Sequence, residues 1–166
     1  MEISRKTDYA IRMLAELVRS NGSVISVRYA AEKNDVPYSF ARSIQHDLVQ
    51  AGIVSSVRGS RGGMKLAVDP KRTSMRQIVE AIQGPICVGE CNDSMSEEEN
   101  CPLKRGCTFT AIWCEAERLL RDFFDAVTLY QAVIEQRCPY LVGGNAFVAL
   151  TPEEKGLVSE GAPAEG

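Results

Sequence analysis

The chain has 166 residues, of which 45% are hydrophobic and 25% charged, the composition of a globular protein with one core or of a small domain plus an appendage. No apolar run approaches the about 20 residues that cross a bilayer. The opening residues Met1 to Lys6 lead into an amphipathic stretch carrying Arg12 and Glu16 rather than into a signal peptide, so no membrane is expected and a cytoplasmic location with reduced thiols is. The net charge of −3 is unevenly spread: residues 1–75 hold 12 Lys and Arg against 7 Asp and Glu, and residues 76–166 hold 7 against 15, which suits a basic nucleic-acid face on the first part.

The elements follow in order. Residues 7–20 place Ala10, Met13, Leu14, Leu17 and Val18 on one helical face, and Asn21-Gly22-Ser23 ends the pattern. Ser26 can cap a short second helix, 27–34, burying Val27, Ala30 and Ala31. Pro37 opens a third helix to about Ala51, with Phe40, Ile44, Leu48 and Val49 as its apolar stripe. Two β-rich runs, 53–57 and 64–68, flank Arg58-Gly59-Ser60-Arg61-Gly62-Gly63 and read as a hairpin with arginines at its tip. Ser74 and Gln77 make a capping box for a helix 75–83, stopped by Gly84-Pro85. A long helix, about 108–137, carries Ile112, Ala116, Leu119, Leu120, Phe123, Val127, Tyr130, Val133 and Ile134 at spacings of three and four. At ~1.5 Å per residue it would run roughly 45 Å, more than so small a body can cover, so a second copy of the chain is expected against it.

The fold class expected is mainly α with a small β-hairpin: a winged helix-turn-helix domain plus a long C-terminal dimerisation helix. The expected division is 1–84 for the winged domain, 85–107 for a cysteine-rich loop, 108–138 for the dimerisation helix and 139–166 for a partly disordered Glu-, Gly- and Pro-rich tail. Four of the six cysteines, Cys87, Cys91, Cys101 and Cys107, fall in that loop, which in a reduced compartment points to metal or redox chemistry before a disulfide scaffold. Cys114 is expected as a packed small residue of the long helix, Cys138 as structural or incidental, and Trp113 as core packing beside the loop. With one histidine, no phosphate loop and no nucleophile elbow, no catalytic constellation is visible.

The strings Thr7-Asp8-Tyr9-Ala10-Ile11-Arg12 and Ser55-Ser56-Val57-Arg58-Gly59-Ser60-Arg61-Gly62-Gly63, with Cys107 followed six residues on by Trp113, resemble the Rrf-two family of bacterial regulators, whose members include the iron–sulfur regulators IscR and NsrR. The resemblance spans about 1–138 and implies a DNA-binding transcriptional regulator that represses or activates, most simply a repressor, working as a homodimer on a palindromic double-stranded operator. The third helix would enter the major groove with Tyr38, Ser39, Arg42, Ser43 and Gln45, Arg42 reading guanine and Gln45 adenine. Arg58, Gly59, Ser60 and Arg61 would meet the minor groove or phosphates, with Lys6 and Arg28 as further phosphate contacts. IscR-like members have a glutamate where Arg42 stands, so operator preference is not carried over.

The resemblance further implies an iron–sulfur cluster, of two or four irons, sensing iron, redox state or nitric oxide. Cys101 and Cys107 match the family's second and third ligands. Cys91 is the expected first ligand although nine residues separate it from Cys101; Cys87 is the alternative, or a fourth ligand. The histidine of IscR-like members is replaced by Thr110, and the one histidine, His46, lies in the third helix. NsrR-like members use an aspartate from the other subunit, a place held here by Asp8, which could equally serve only to stabilise a helix N-terminus. The alternatives are a regulator without a cluster, controlled by zinc, by a thiol–disulfide switch or by a partner protein. Zinc is disfavoured by the wide cysteine spacing and the absence of a C-x-x-C pair.

Overall fold

The computed structural model describes residues 2–59, 62–89 and 107–136. Ser60, Arg61, Cys91, Cys101, Cys138 and the tail lie outside the described residues, so the expectations placed on them stay as expectations.

Helix α1 spans Arg5–Arg19. Ser4 stands in extended backbone and its hydroxyl accepts from the Thr7 N–H, satisfying one of the donors a helix start leaves free. The helix begins two residues before the apolar pattern because Arg5 and Lys6 carry no hydrophobic signal. Ala10, Met13, Leu14 and Leu17 are buried completely or nearly so. Helix α2, Val27–Lys33, is capped by Ser26, which accepts from the Tyr29 N–H at 3.1 Å. Helix α3, Tyr38–Gln50, follows Pro37.

The expected stripe of α3 needs correction. Ala41, Ile44 and Leu48 face the core, whereas Phe40 is 41% exposed and Val49 37%. Both lie one residue, about 100° of turn, from a core position. Phe40 packs instead at the rim, edge-on to Tyr9 with centroids 5.6 Å apart.

Strands β1, Val54–Val57, and β2, Gly63–Leu66, pair antiparallel with Val54 opposite Leu66 and Val57 opposite Gly63. Ile25, between α1 and α2, adds a bridge to Met64 through backbone bonds of 2.8 and 2.9 Å, which ties the hairpin to the helical body. Helix α4, Met75–Gln83, starts in the expected capping box, Ser74 and Gln77 each accepting from the other's backbone N–H, and stops at Gly84, whose φ of +84° favours glycine.

Helix α5 runs Thr108–Ala126, shorter than the single helix to about 137 expected from periodicity. It stops because the backbone turns extended at Val127 and is claimed by the segment before α4. Met75 N–H donates to the Val127 carbonyl at 2.8 Å, Leu129 N–H to Thr73 at 2.9 Å and Tyr130 N–H to Pro70 at 3.0 Å. Leu129 is thereby buried completely in the core, and one π-helical turn, Gln131–Glu135, follows. The architecture is three helices, a two-stranded wing, α4 packed on α1 and α5 packed on α4, the winged helix-turn-helix order expected.

The core joins α1, α2, α3, the hairpin, Ile78 and Leu129. Leu48→Ala removes a completely buried side chain from its middle. It should cost about 2–5 kcal/mol, read as a lower urea midpoint with unchanged slope.

Candidate nucleic-acid interface and cysteine site

Because Ala41, Ile44 and Leu48 hold α3 to the core, Tyr38, Ser39, Arg42 and Ser43 face outward and Gln45 is half-buried. Beside them the wing turns at Gly59, whose φ is +117°. Two more glycines are demanded by space: a Cβ on Gly62 would stand 2.6 Å from the Val57 carbonyl oxygen, and one on Gly63 would stand 2.2 Å from that of Ile25. Between wing and helices lies an open cleft of about 410 Å³, lined among others by Arg28, Tyr38, Arg42, Gln45, Arg58 and Gly59. Among the described residues three arginines and no carboxylate line it, the electrostatics an anionic backbone requires.

The side chains in the cleft are partly pre-set. The Arg28 guanidinium lies 5.1 Å from the Tyr38 ring centroid, joining the start of α2 to the start of α3. Gln45 Nε2 donates to Ser56 Oγ at 3.3 Å, joining α3 to the wing. Lys6 stands outside this group: its ammonium is ion-paired with Asp47 at 2.5 Å.

On the opposite side, Cys107 is the residue that precedes the first turn of α5. Its thiol is held below the ordinary cysteine range, chiefly by the nearby Thr110 N–H, then by the Thr110 hydroxyl and the Phe109 N–H. Hydrogen bonds of this kind favour the thiolate, and the helix N-terminus does so too. Cys87 is half-buried. Asp8, in the first turn of α1, is ion-paired with Arg12 at 2.7 Å. Among the described residues, no group of three or more His, Cys, Asp and Glu side chains converges on one point.

Two expectations about α5 are corrected. Cys114 is exposed, not packed. Trp113 is 43% exposed rather than core, although its ring lies 3.6 Å from where a Cβ on Gly89 would stand, against the start of the cysteine segment. Phe109, Ile112 and Leu119 are more exposed still, at 62, 56 and 54%. The face turned inward carries a buried Glu117, ion-paired with Arg121, whose Nη2 also donates to the Ile86 carbonyl at 3.3 Å. The helix thus buries the Glu117 carboxylate on its inward face and exposes large apolar side chains beside the Arg118–Glu115 and Arg118–Asp122 ion pairs.

The sequence reading did not find Thr110, Asp47, Gln83 or Glu117 as participants. A threonine three residues after a helix-capping cysteine is a usable local signal; the other three depend on tertiary approach.

A core-anchored third helix beside a glycine-bent, arginine-bearing wing defines a winged helix-turn-helix DNA-binding regulator. The profile of the Rrf2 family, described as an iron-dependent transcriptional regulator, matches residues 3–135, and the chain belongs to this family. It is similar to the transcriptional repressor NsrR of Streptomyces coelicolor, 28% identical over 145 residues that cover 86% of this chain and 95% of that one. Among solved structures it is similar to CymR of Bacillus subtilis, a global cysteine regulator, with a TM-score of 0.62, 25% identity and coverage of 80 and 96%. IscR of T. potens shares the fold at a TM-score of 0.62, 20% identity and coverage of 87 and 94%. The chain is therefore a transcriptional regulator and not an enzyme. Among the described residues no helix is long and apolar enough to cross a membrane.

In reduced, metal-free protein Cys107 should react with iodoacetamide at lower pH than Cys114. Thr110→Val removes one of the donors to sulfur and should move the Cys107 profile upward. Identical profiles for the two cysteines would contradict the hydrogen-bonded thiolate.

Proposed function

We propose that the protein is a homodimeric repressor whose affinity for a palindromic operator depends on an iron–sulfur cluster. The observation that carries the reading is Cys107: a thiol held below the ordinary cysteine range at the start of the helix that presents the exposed apolar face. Thiolates are the donors such a cluster takes, so this residue fits the group. Cys107, Cys101 and Cys91 would hold it, with Cys87 as the alternative and Asp8 of a second copy as an oxygen ligand. When bound, a cluster supplies a centre sensitive to iron supply, oxidants and nitric oxide.

The chain's own residues do the rest. Cys107 fixes the end of the cysteine segment to α5. Arg121 fixes its beginning through the Ile86 carbonyl. Phe109, Ile112, Trp113 and Leu119 would be covered by the same face of a second copy, since a two-fold contact is self-complementary and, among the described residues, nothing covers α5 there. The pairing would set two reading heads on two half-sites. In each, Arg42 and its neighbours on α3 address base edges, and Arg28, Arg58 and Arg61 address phosphates or the minor groove.

Anaerobic purification with visible absorption, iron and sulfide content tests the cluster. A brown protein with matched iron and sulfide, bleached by Cys107→Ala, is expected. A protein that stays colourless after anaerobic reconstitution would sink the cluster reading and leave zinc, a thiol switch or a partner protein as the control.

The DNA contacts separate by kind. Arg58→Ala should weaken binding to all sequences and lower the salt dependence by about one unit of slope. Arg42→Ala should cost about 1–3 kcal/mol and relax base preference at one position. Equal losses on all sequences for both would show that α3 does not read bases through Arg42.

A further inference from the structure

Four consecutive residues near the start of α1 each have a different partner. Lys6 pairs with Asp47 of α3 at 2.5 Å. Thr7 donates its hydroxyl to Gln83 Oε1, in the last residue of α4, at 2.6 Å. Asp8 pairs with Arg12 within α1. Tyr9 packs edge-on to Phe40 of α3. The same Gln83 carboxamide accepts from the Ser4 N–H at 3.1 Å and donates from Nε2 to the Glu2 carbonyl at 3.2 Å. One side chain therefore holds the whole cap of α1.

Gln83 is also the last helical residue before the cysteine segment. Gly84 follows with positive φ, then Pro85, the buried Ile86 and Cys87. We propose that Gln83 and Thr7 are positioning residues that carry the state of the cysteine segment to the recognition helix α3. The inference rests on the cluster-controlled DNA binding proposed above.

The physical case is one of stiffness. Thr7 is completely buried, so its hydroxyl has no water to exchange for Gln83; its other partner is Ser4 Oγ at 2.9 Å, within the same cap, so parting from Gln83 costs the one bond that ties this hydroxyl to α4. A shift at residues 84–87 therefore displaces Gln83 together with the α1 cap rather than parting from it. Helix α1 is buried along one face and moves as a rigid rod. It bears on α3 at two separated points, Phe40 near the start and Asp47 near the end. A tilt of α1 then becomes a tilt of α3. Since β2 also packs on α1 and Gln45 ties α3 to Ser56 of the wing, such a tilt reaches both edges of the cleft that would hold DNA. A cluster biases DNA affinity only if such an element has two arrangements that it distinguishes.

The test compares cluster-loaded and cluster-free full-length protein on an operator selected in vitro from random DNA, by fluorescence anisotropy. In the wild type the affinity ratio between the two states should fall in the about 5–150-fold range usual for coupled sites. Thr7→Val and Gln83→Ala should bring the ratio to within about twofold of one, with visible spectrum and iron content unchanged. Thr7→Ser keeps the hydroxyl and should keep the wild-type ratio. Thr7→Val preserves side-chain shape and decides the matter if Gln83→Ala does not fold. Variants that lose affinity in both states while keeping the ratio would overturn the proposal and make Gln83 a brace for stability alone. A wild-type ratio of one, with a cluster present, would overturn the sensor reading and the relay with it.

Discussion

Every placement in this molecule depends on the burial of α1. Met13, Leu14 and Leu17 form the centre of the core, and α2, α3, α4, β2 and the final π-helical turn all pack against the helix. Burying a side chain of that size stabilises by about 1.5–3 kcal/mol, and several lie in line along one face. The consequence is mechanical. Helix α3 is seated through Ile44 and Leu48 in the core that α1 centres, with α2, α4 and β1 packed around it. The two polar ties at the top of α1, Lys6 to Asp47 and Thr7 to Gln83, fix how it is pitched between α3 and α4.

Helix α5 obeys a different rule. Its inward face holds Glu117 and Arg121, its outward face Phe109, Ile112 and Leu119. Arg76 extends the polar contacts, reaching Asp125 at 2.8 Å while pairing with Glu80 on its own helix. A helix with aromatic and aliphatic side chains half-exposed along two turns carries an unmet hydrophobic term, and a second copy would meet it. The polar inner face then has a use beyond solubility: polar contacts are directional, so Arg121 to the Ile86 carbonyl and Arg76 to Asp125 fix the roll of α5 where an oily seam would let it slide.

The hydrophobic period of the sequence located α1 to α4 to within one or two residues, and the glycines and arginines of the wing were legible as such. It failed where apolar residues answer to something other than the local core. Phe40 and Val49 fit the spacing but sit one step off the buried row. Along α5 the same spacing continued through Val127, Tyr130 and Val133, yet the helix stops at Ala126. The cause is the edge formed by Pro70, Thr73 and Met75, which takes the backbone of Val127, Leu129 and Tyr130 into hydrogen bonds a helix cannot make. Periodicity also cannot say whether a stripe faces its own core or a neighbour, so Trp113 and Cys114 were placed inside when they are at the surface.

Thr110 shows the limit of spacing at the chemical site. Its position is where IscR-like relatives carry a histidine, and by spacing alone it reads as a missing ligand. The structure gives it a task of its own: its N–H and hydroxyl both donate to Cys107 sulfur. A nitrogen ligand would add electron density to a metal, whereas a donor hydrogen bond draws density from the thiolate that binds one. In the proposed cluster site, threonine here would thus tune Cys107 as well as leaving out a nitrogen ligand. The start of the cysteine segment is thus tied to α1 through Gln83 and to α5 through Ile86, and its end begins α5 at Cys107. Reorganisation between those ends would act on Gln83 and, through it, on α1 and the α3 it pairs with.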